Sequence, residues 1–156
     1  MKRVLLVALL VLAVVSGCSE QADVVIDIAA LDSELQRSTD FGTRLEPVGD
    51  VFIRTTLYLS LDYAEEYYVY SQAALTGESY GLFRCTTAEA AVELKAEVEE
   101  HMRNYISQYR GYAPEIVPRL ENAVIRQSGR YVVFVVAENQ GEALQLVDRY
   151  FPVVSR

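Results

Sequence analysis

Six consecutive apolar residues, Tyr131-Val132-Val133-Phe134-Val135-Val136, limit the possible folds of this chain more than any other stretch. Aromatic and β-branched side chains favour an extended, pleated backbone. Successive residues of a strand point to opposite faces, so Tyr131, Val133 and Val135 share one face and Val132, Phe134 and Val136 the other. A strand with one wet face alternates apolar with polar residues; this one is apolar on both, so it belongs in the middle of a sheet covered on two sides. The N-terminal helices, a partner protein or a second copy of the chain could supply the second cover.

The rest of the pattern builds outward from that strand. Residues 121–127 and 130–137 form a hairpin around Ser128-Gly129. Residues 67–74 and 79–85, rich in Tyr, Val, Leu and Phe, form another, connected by Leu75-Thr76-Gly77-Glu78. Between the hairpins, residues 87–110 carry Ala91, Leu94, Val98, His101, Met102, Tyr105 and Tyr109 at helical spacing. Thr86 with Glu89 three positions on is a capping-box pattern, and Gly111 is placed to end the helix. Pro114 and Pro118 hold the following stretch in a turn or a single helical turn.

Upstream, Asp27 is placed to cap a short helix bearing Ile28, Leu31 and Leu35 on one face, and residues 42–50 form a loop with Pro47 and Gly49. Residues 51–61 support two readings. Val51, Ile53, Leu57, Leu59 and Leu61 stand at strand spacing, while Val51, Phe52, Thr55 and Tyr58 make a helix face behind an Asp50 cap; the short helix is preferred. A last helix over 141–150 turns Leu144, Val147 and Phe151 inward. The expected fold is α+β: a four-stranded, mainly antiparallel sheet from two β-hairpins joined by one long α-helix, with short N-terminal helices and a C-terminal helix.

The N-terminus speaks to location. Met1-Lys2-Arg3 is a basic head, and residues 4–15 are an unbroken apolar run. As a helix that run spans about 18 Å, short of the ~30 Å hydrocarbon core, so it reads as a signal-peptide core rather than a membrane span. It ends in Val15-Ser16-Gly17-Cys18, two small residues and then a cysteine, which resembles a bacterial lipoprotein box. That resemblance implies cleavage before Cys18 and a diacylglyceryl group on its thiol; two acyl chains anchor stably where one is marginal. The competing reading is a secretory leader with a coincidental cysteine. The expected organisation is a signal peptide over 1–17, a tether over 18–26 and a single domain over 27–156, held at the outer face of the bacterial cytoplasmic membrane. The only other thiol, Cys85, lies in an apolar strand, and a lipidated Cys18 cannot pair with it.

The two hairpins and the helix between them resemble a family of small bacterial lipoproteins known only as a domain of unknown function, the DUF4358 type. The matching residues are Glu66-Tyr67-Tyr68-Val69-Tyr70, Gly81-Leu82-Phe83-Arg84, Tyr112-Ala113-Pro114-Glu115-Ile116-Val117-Pro118, Leu120-Glu121-Asn122-Ala123-Val124 and Gly129-Arg130-Tyr131-Val132. The likeness runs from about Asp27 to Tyr150. It implies a lipid-anchored extracytoplasmic domain and supplies no activity and no catalytic residues.

Charge and motifs narrow the chemistry. Lys2 and Arg3 fall in the leader, so the mature chain keeps 12 basic residues against 22 acidic ones, a net −10 that repels nucleic acid. Gly77-Glu78-Ser79-Tyr80-Gly81 has the Gly-x-Ser-x-Gly spacing of serine hydrolases, but that motif needs a strand-to-helix turn, and here a strand follows. The glycines are expected to serve the hairpin turn instead. His101 is the only histidine and has no partner set for zinc; Glu89, Glu93, Glu97 and Glu100 read as a solvated helix face, so no metal and no cofactor is expected. The unusual feature is 11 tyrosines and no tryptophan. Tyr67, Tyr70, Tyr105, Tyr109 and Tyr112 are the candidate ligand or partner surface, each with an apolar body and a polar tip. The expected role is a non-enzymatic interaction or accessory module that meets a membrane protein or a second copy; the alternative is binding of a small molecule or a cell-wall glycan.

Overall fold

A computed structural model describes residues 24–42, 44–72 and 76–152. The leader, Cys18, the tether as far as Asp23, Thr43 and residues 73–75 of the first hairpin connection lie outside the described residues. The elements run α1 (Ile28–Leu35), β1 (Glu46–Pro47), α2 (Asp50–Thr55), β2 (Ala64–Ser71), β3 (Ser79–Cys85), α3 (Ala88–Tyr112), α4 (Val117–Glu121), β4 (Val124–Ser128), β5 (Tyr131–Val136) and α5 (Gly141–Tyr150).

The sheet has five strands in the order β1-β2-β3-β5-β4, each pair antiparallel, and not the four expected. The extra strand is two residues long and includes a proline; it pairs Glu46 with Ser71 and Pro47 with Tyr70 at the sheet margin. An edge is where a residue without an N–H is tolerated, and so short a strand has no hydrophobic period to announce it.

β5 sits between β3 and β4 and all six of its residues are buried. Val132, Phe134 and Val136 pack with Phe83 and Cys85 of β3 under Leu94, Val98 and Met102 of α3. Tyr131, Val133 and Val135 pack with Tyr80 and Leu82 under α1 and α5, through Leu31, Leu35, Val147 and Phe151. The chain therefore covers both faces itself: a sheet between one long helix and two shorter ones. Ile26 already joins the second cluster.

Local chemistry explains the boundaries. Asp27 accepts a hydrogen bond from the Ala30 amide at 2.9 Å and caps α1. The cap of α3 is Thr87, which accepts from the Ala90 amide at 3.1 Å, one residue after the expected Thr86. Gly111 does not end α3; the helix runs to Tyr112 and stops at Ala113, because a residue before proline is pushed out of the helical region. Glu121 ends α4 rather than opening β4. Asp50 lies in the first turn of α2 behind a Gly49 cap, and Val51 and Tyr58 are exposed while Ile53, Leu57, Leu59 and Leu61 are buried. Residues 51–61 thus use the helix first and the alternating spacing after it. Glu97, expected on a solvated face, accepts from the Ser60 amide at 2.7 Å and ties this stretch to α3. In α5 the inward set is Ala143, Leu146, Val147 and Phe151, with Leu144 half-buried.

Gly81 is not a turn residue. A Cβ there would lie 2.3 Å from the Phe134 ring and 2.8 Å from the Phe83 ring, so the missing side chain is the space the two rings occupy. Gly77, with φ +73°, is the glycine the turn requires. Gly81→Ala is expected to lower stability by about 3 kcal/mol, the upper end for overpacking a full core. Urea unfolding would measure it, and an unchanged midpoint would refute this packing account.

Candidate functional site

α1 carries an acid where its pattern calls for an apolar residue. Asp32 is four positions after Ile28, on the buried face of the helix, and is itself buried. A buried carboxylate needs partners. The Tyr80 hydroxyl donates to its Oδ1 at 2.8 Å and the Gln36 side-chain amide donates to its Oδ2 at 2.7 Å. The same Gln36 nitrogen donates to the Tyr70 hydroxyl at 2.9 Å. Burial first, and then Asp32, pushes the Tyr80 hydroxyl far above the usual tyrosine range, so it stays a donor. Tyr70 is raised too, by burial and then by the nearby charge of Asp32.

Gln36, Tyr70 and Tyr80 line a groove of about 620 Å³. Leu35 and Gln36 form one wall, Phe41 and Arg44 another, and Tyr70 and Tyr80 line the side made by the sheet. Tyr70 stacks on Tyr80 with ring centroids 4.9 Å apart, and Phe41 lies 5.8 Å from Tyr80. The loop bearing Phe41 is held from two sides, by α5 and by Glu78. Asp40 accepts from the Ala143 amide of α5 at 2.6 Å, and Glu142 of α5 accepts in return from the Thr39 amide at 3.0 Å and the Ser38 hydroxyl at 2.9 Å. Buried Glu78 accepts from the amides of Gly42 at 2.8 Å and Glu138 at 3.1 Å. The groove is thus lined by aromatic faces with polar ends between them, on a scaffold already in place.

The five predicted tyrosines do not form one surface. Tyr70 lines the groove, but Tyr67 points to the opposite face of the sheet, packs near Phe83 and donates to Asp50 at 2.6 Å. Tyr105, Tyr109 and Tyr112 form a ladder on α3 with centroids 5.6 and 4.9 Å apart, and Tyr112 is exposed. Strand alternation separates residues 67 and 70, an odd number apart. Sequence reasoning missed Tyr80, Asp32, Gln36 and Phe41; the legible signal was the acid on the apolar stripe of α1.

Ser79 is buried at the start of β3, its hydroxyl directed to the Gly77 carbonyl at 3.5 Å, where the chain enters a strand and not a helix. Cys85 is buried and free, its thiol pushed up to about 11 by burial and then by Glu65. His101 is buried against Tyr105, ring centroids 4.2 Å apart, and burial lowers it to about 4. Among the described residues no group of three or more His, Cys, Asp or Glu is placed to hold a metal ion, and no helix is long and apolar enough to cross a membrane.

Two measurements check this account. Tyr80→Phe removes one partner of a buried carboxylate and should cost about 2 kcal/mol in urea unfolding; no loss would mean the Asp32 bond is not structural. His101 is neutral in the folded state and charges below its ordinary 6.5 when unfolded, so its contribution is full above that pH and is lost as pH falls toward about 4. Wild type should therefore lose up to about 3 kcal/mol relative to His101→Gln between pH 7 and 4; parallel pH profiles would contradict a buried neutral imidazole.

The profile of a domain of unknown function (DUF4358) matches residues 37–137, a span from the end of α1 to the end of β5. No curated protein and no solved structure matches the chain.

Proposed function

The chain belongs to the DUF4358 family, and from that premise we propose that it is a lipid-anchored, non-enzymatic binding module at the outer face of the bacterial cytoplasmic membrane, with the tyrosine-lined groove as its ligand site. The anchor rests on the basic head, the 12-residue apolar run and the Ser16-Gly17-Cys18 junction. The single observation that carries the binding reading is the groove itself, where Tyr70 and Phe41 present aromatic faces beside Gln36 and Arg44. Aromatic faces next to donors and acceptors suit a ligand with both C–H faces and hydroxyl groups, which makes a cell-wall glycan fragment the class that fits.

This reading ranks above docking to a membrane protein for a structural reason. A doubly apolar strand favours a partner only if the chain leaves one face uncovered, and α1 and α5 supply that cover. One observation still favours docking: Tyr58 and Tyr112, on the α3 side of the sheet, are 71% and 57% exposed.

Calorimetric titration of residues 19–156 with peptidoglycan fragments is the test. Binding is expected, and Tyr70→Ala should weaken it at least about tenfold, or 1.4 kcal/mol, while Tyr112→Ala should not change it. No heat with any fragment, together with loss of in-cell protein crosslinks in Tyr112→Ala, would overturn glycan binding in favour of docking.

A further inference from the structure

The two ends of the sheet differ, and the N-terminal segment reaches the domain at one of them. Val24 is the first described residue, and it lies against the β4–β5 turn: a Cβ on Gly129 would stand 3.7 Å from the Val24 Cβ. At the same end Arg84 pairs with Tyr131 in register, and the Cys85 amide bonds to the Arg130 carbonyl at 2.7 Å. The groove is at the other end, where Tyr70 pairs with Tyr80, Tyr80 with Val135 and Ser79 with Val136. At about 3.3 Å per residue, β5 carries the chain roughly 17 Å from the turn end to the groove end.

Cys18 precedes Val24 by six residues, a reach of about 20 Å at full extension. An anchor on Cys18 therefore keeps the β4–β5 turn within about 20 Å of the bilayer; that reach exceeds the length of the sheet, so the orientation rests on the chemistry of that end. Val24 and Val25 are 41% and 84% exposed, two apolar side chains beside the anchor. The arginines there are matched by glutamates: Arg84 meets Glu65 at 3.2 Å and Glu66 at 3.0 Å, and Arg130 meets Glu65 at 3.2 Å. Those four residues carry no net charge, and Asp27 and Glu89 are exposed acids adjacent to them, whereas the mature chain as a whole carries net −10 and would be repelled by anionic headgroups.

We propose that the lipidated protein stands on the membrane by its β4–β5 turn end, with Val24 and Val25 at the interface, so that the groove opens away from the bilayer and takes its ligand from the wall side and not from a lipid headgroup. This rests on the anchored-module reading above, and the test separates the two. The full chain, purified lipidated from bacterial membranes, carries one donor dye at Thr86→Cys, just past the end of β3, or at Asn122→Cys, just before β4; both positions are exposed and Cys85 is buried. It is bound to phosphatidylethanolamine–phosphatidylglycerol vesicles that contain an acceptor-labelled lipid. Energy transfer is expected to be several-fold more efficient from position 86 than from position 122. Vesicle-bound protein with equal or reversed transfer would overturn the orientation alone. Protein that does not sediment with the vesicles would overturn the anchor and the orientation with it.

Discussion

Burial of β5 on both faces is the constraint the rest of the structure answers to. No side chain of Tyr131–Val136 can be left in water without losing a large part of its apolar burial, so a helical layer is needed on each side. α3 supplies one along a single stripe. The other has to be assembled from α1 and α5, which are far apart in the chain and meet only in the folded protein. Gly81 belongs to the same constraint, since the Phe134 ring fits only where β3 has no Cβ.

Assembling the second layer from separate pieces leaves polar joints, and those joints hold residues that line the groove: Asp32 accepts from Gln36 and Tyr80, and Glu78 accepts from Gly42. Asp32, Asp40 and Glu78 are all buried, and each accepts hydrogen bonds from segments distant in sequence. In a medium that solvates charge poorly, such carboxylates are tolerated only when their lone pairs are filled, and filling them fixes the geometry of the loop around Phe41. The groove is thus a by-product of how α1 and α5 are tied to the sheet, which accounts for its having a formed wall rather than a flat apolar face.

Much of the architecture is readable one element at a time. The α3 stripe is inward along its whole length, with Ala91, Leu94, Val98, His101, Met102 and Tyr109 buried, because helical spacing is a local property. The Asp27 cap and the two-sided burial of β5 are local in the same sense. Readings failed where a residue's role depends on a distant neighbour. Gly81 has the spacing of a turn glycine, and only Phe134, 53 positions on, reveals it as a packing gap. β1 exists because β2 offers it an edge. Tyr67 and Tyr70 cluster in sequence and part across the sheet.

By itself the sequence determined an α+β domain built on a central, doubly covered strand and a long amphipathic helix between two hairpins, since these depend on period and length along the chain. Only the tertiary structure decided what covers the second face, which tyrosines share a surface, and where a ligand can lie. Those outcomes depend on hydrogen bonds and contacts such as Asp32 with Tyr80 and Asp40 with Ala143, whose partners are separated by 48 and 103 residues. No local pattern records such distances, because the free energy of each contact exists only after the chain has brought the two ends together.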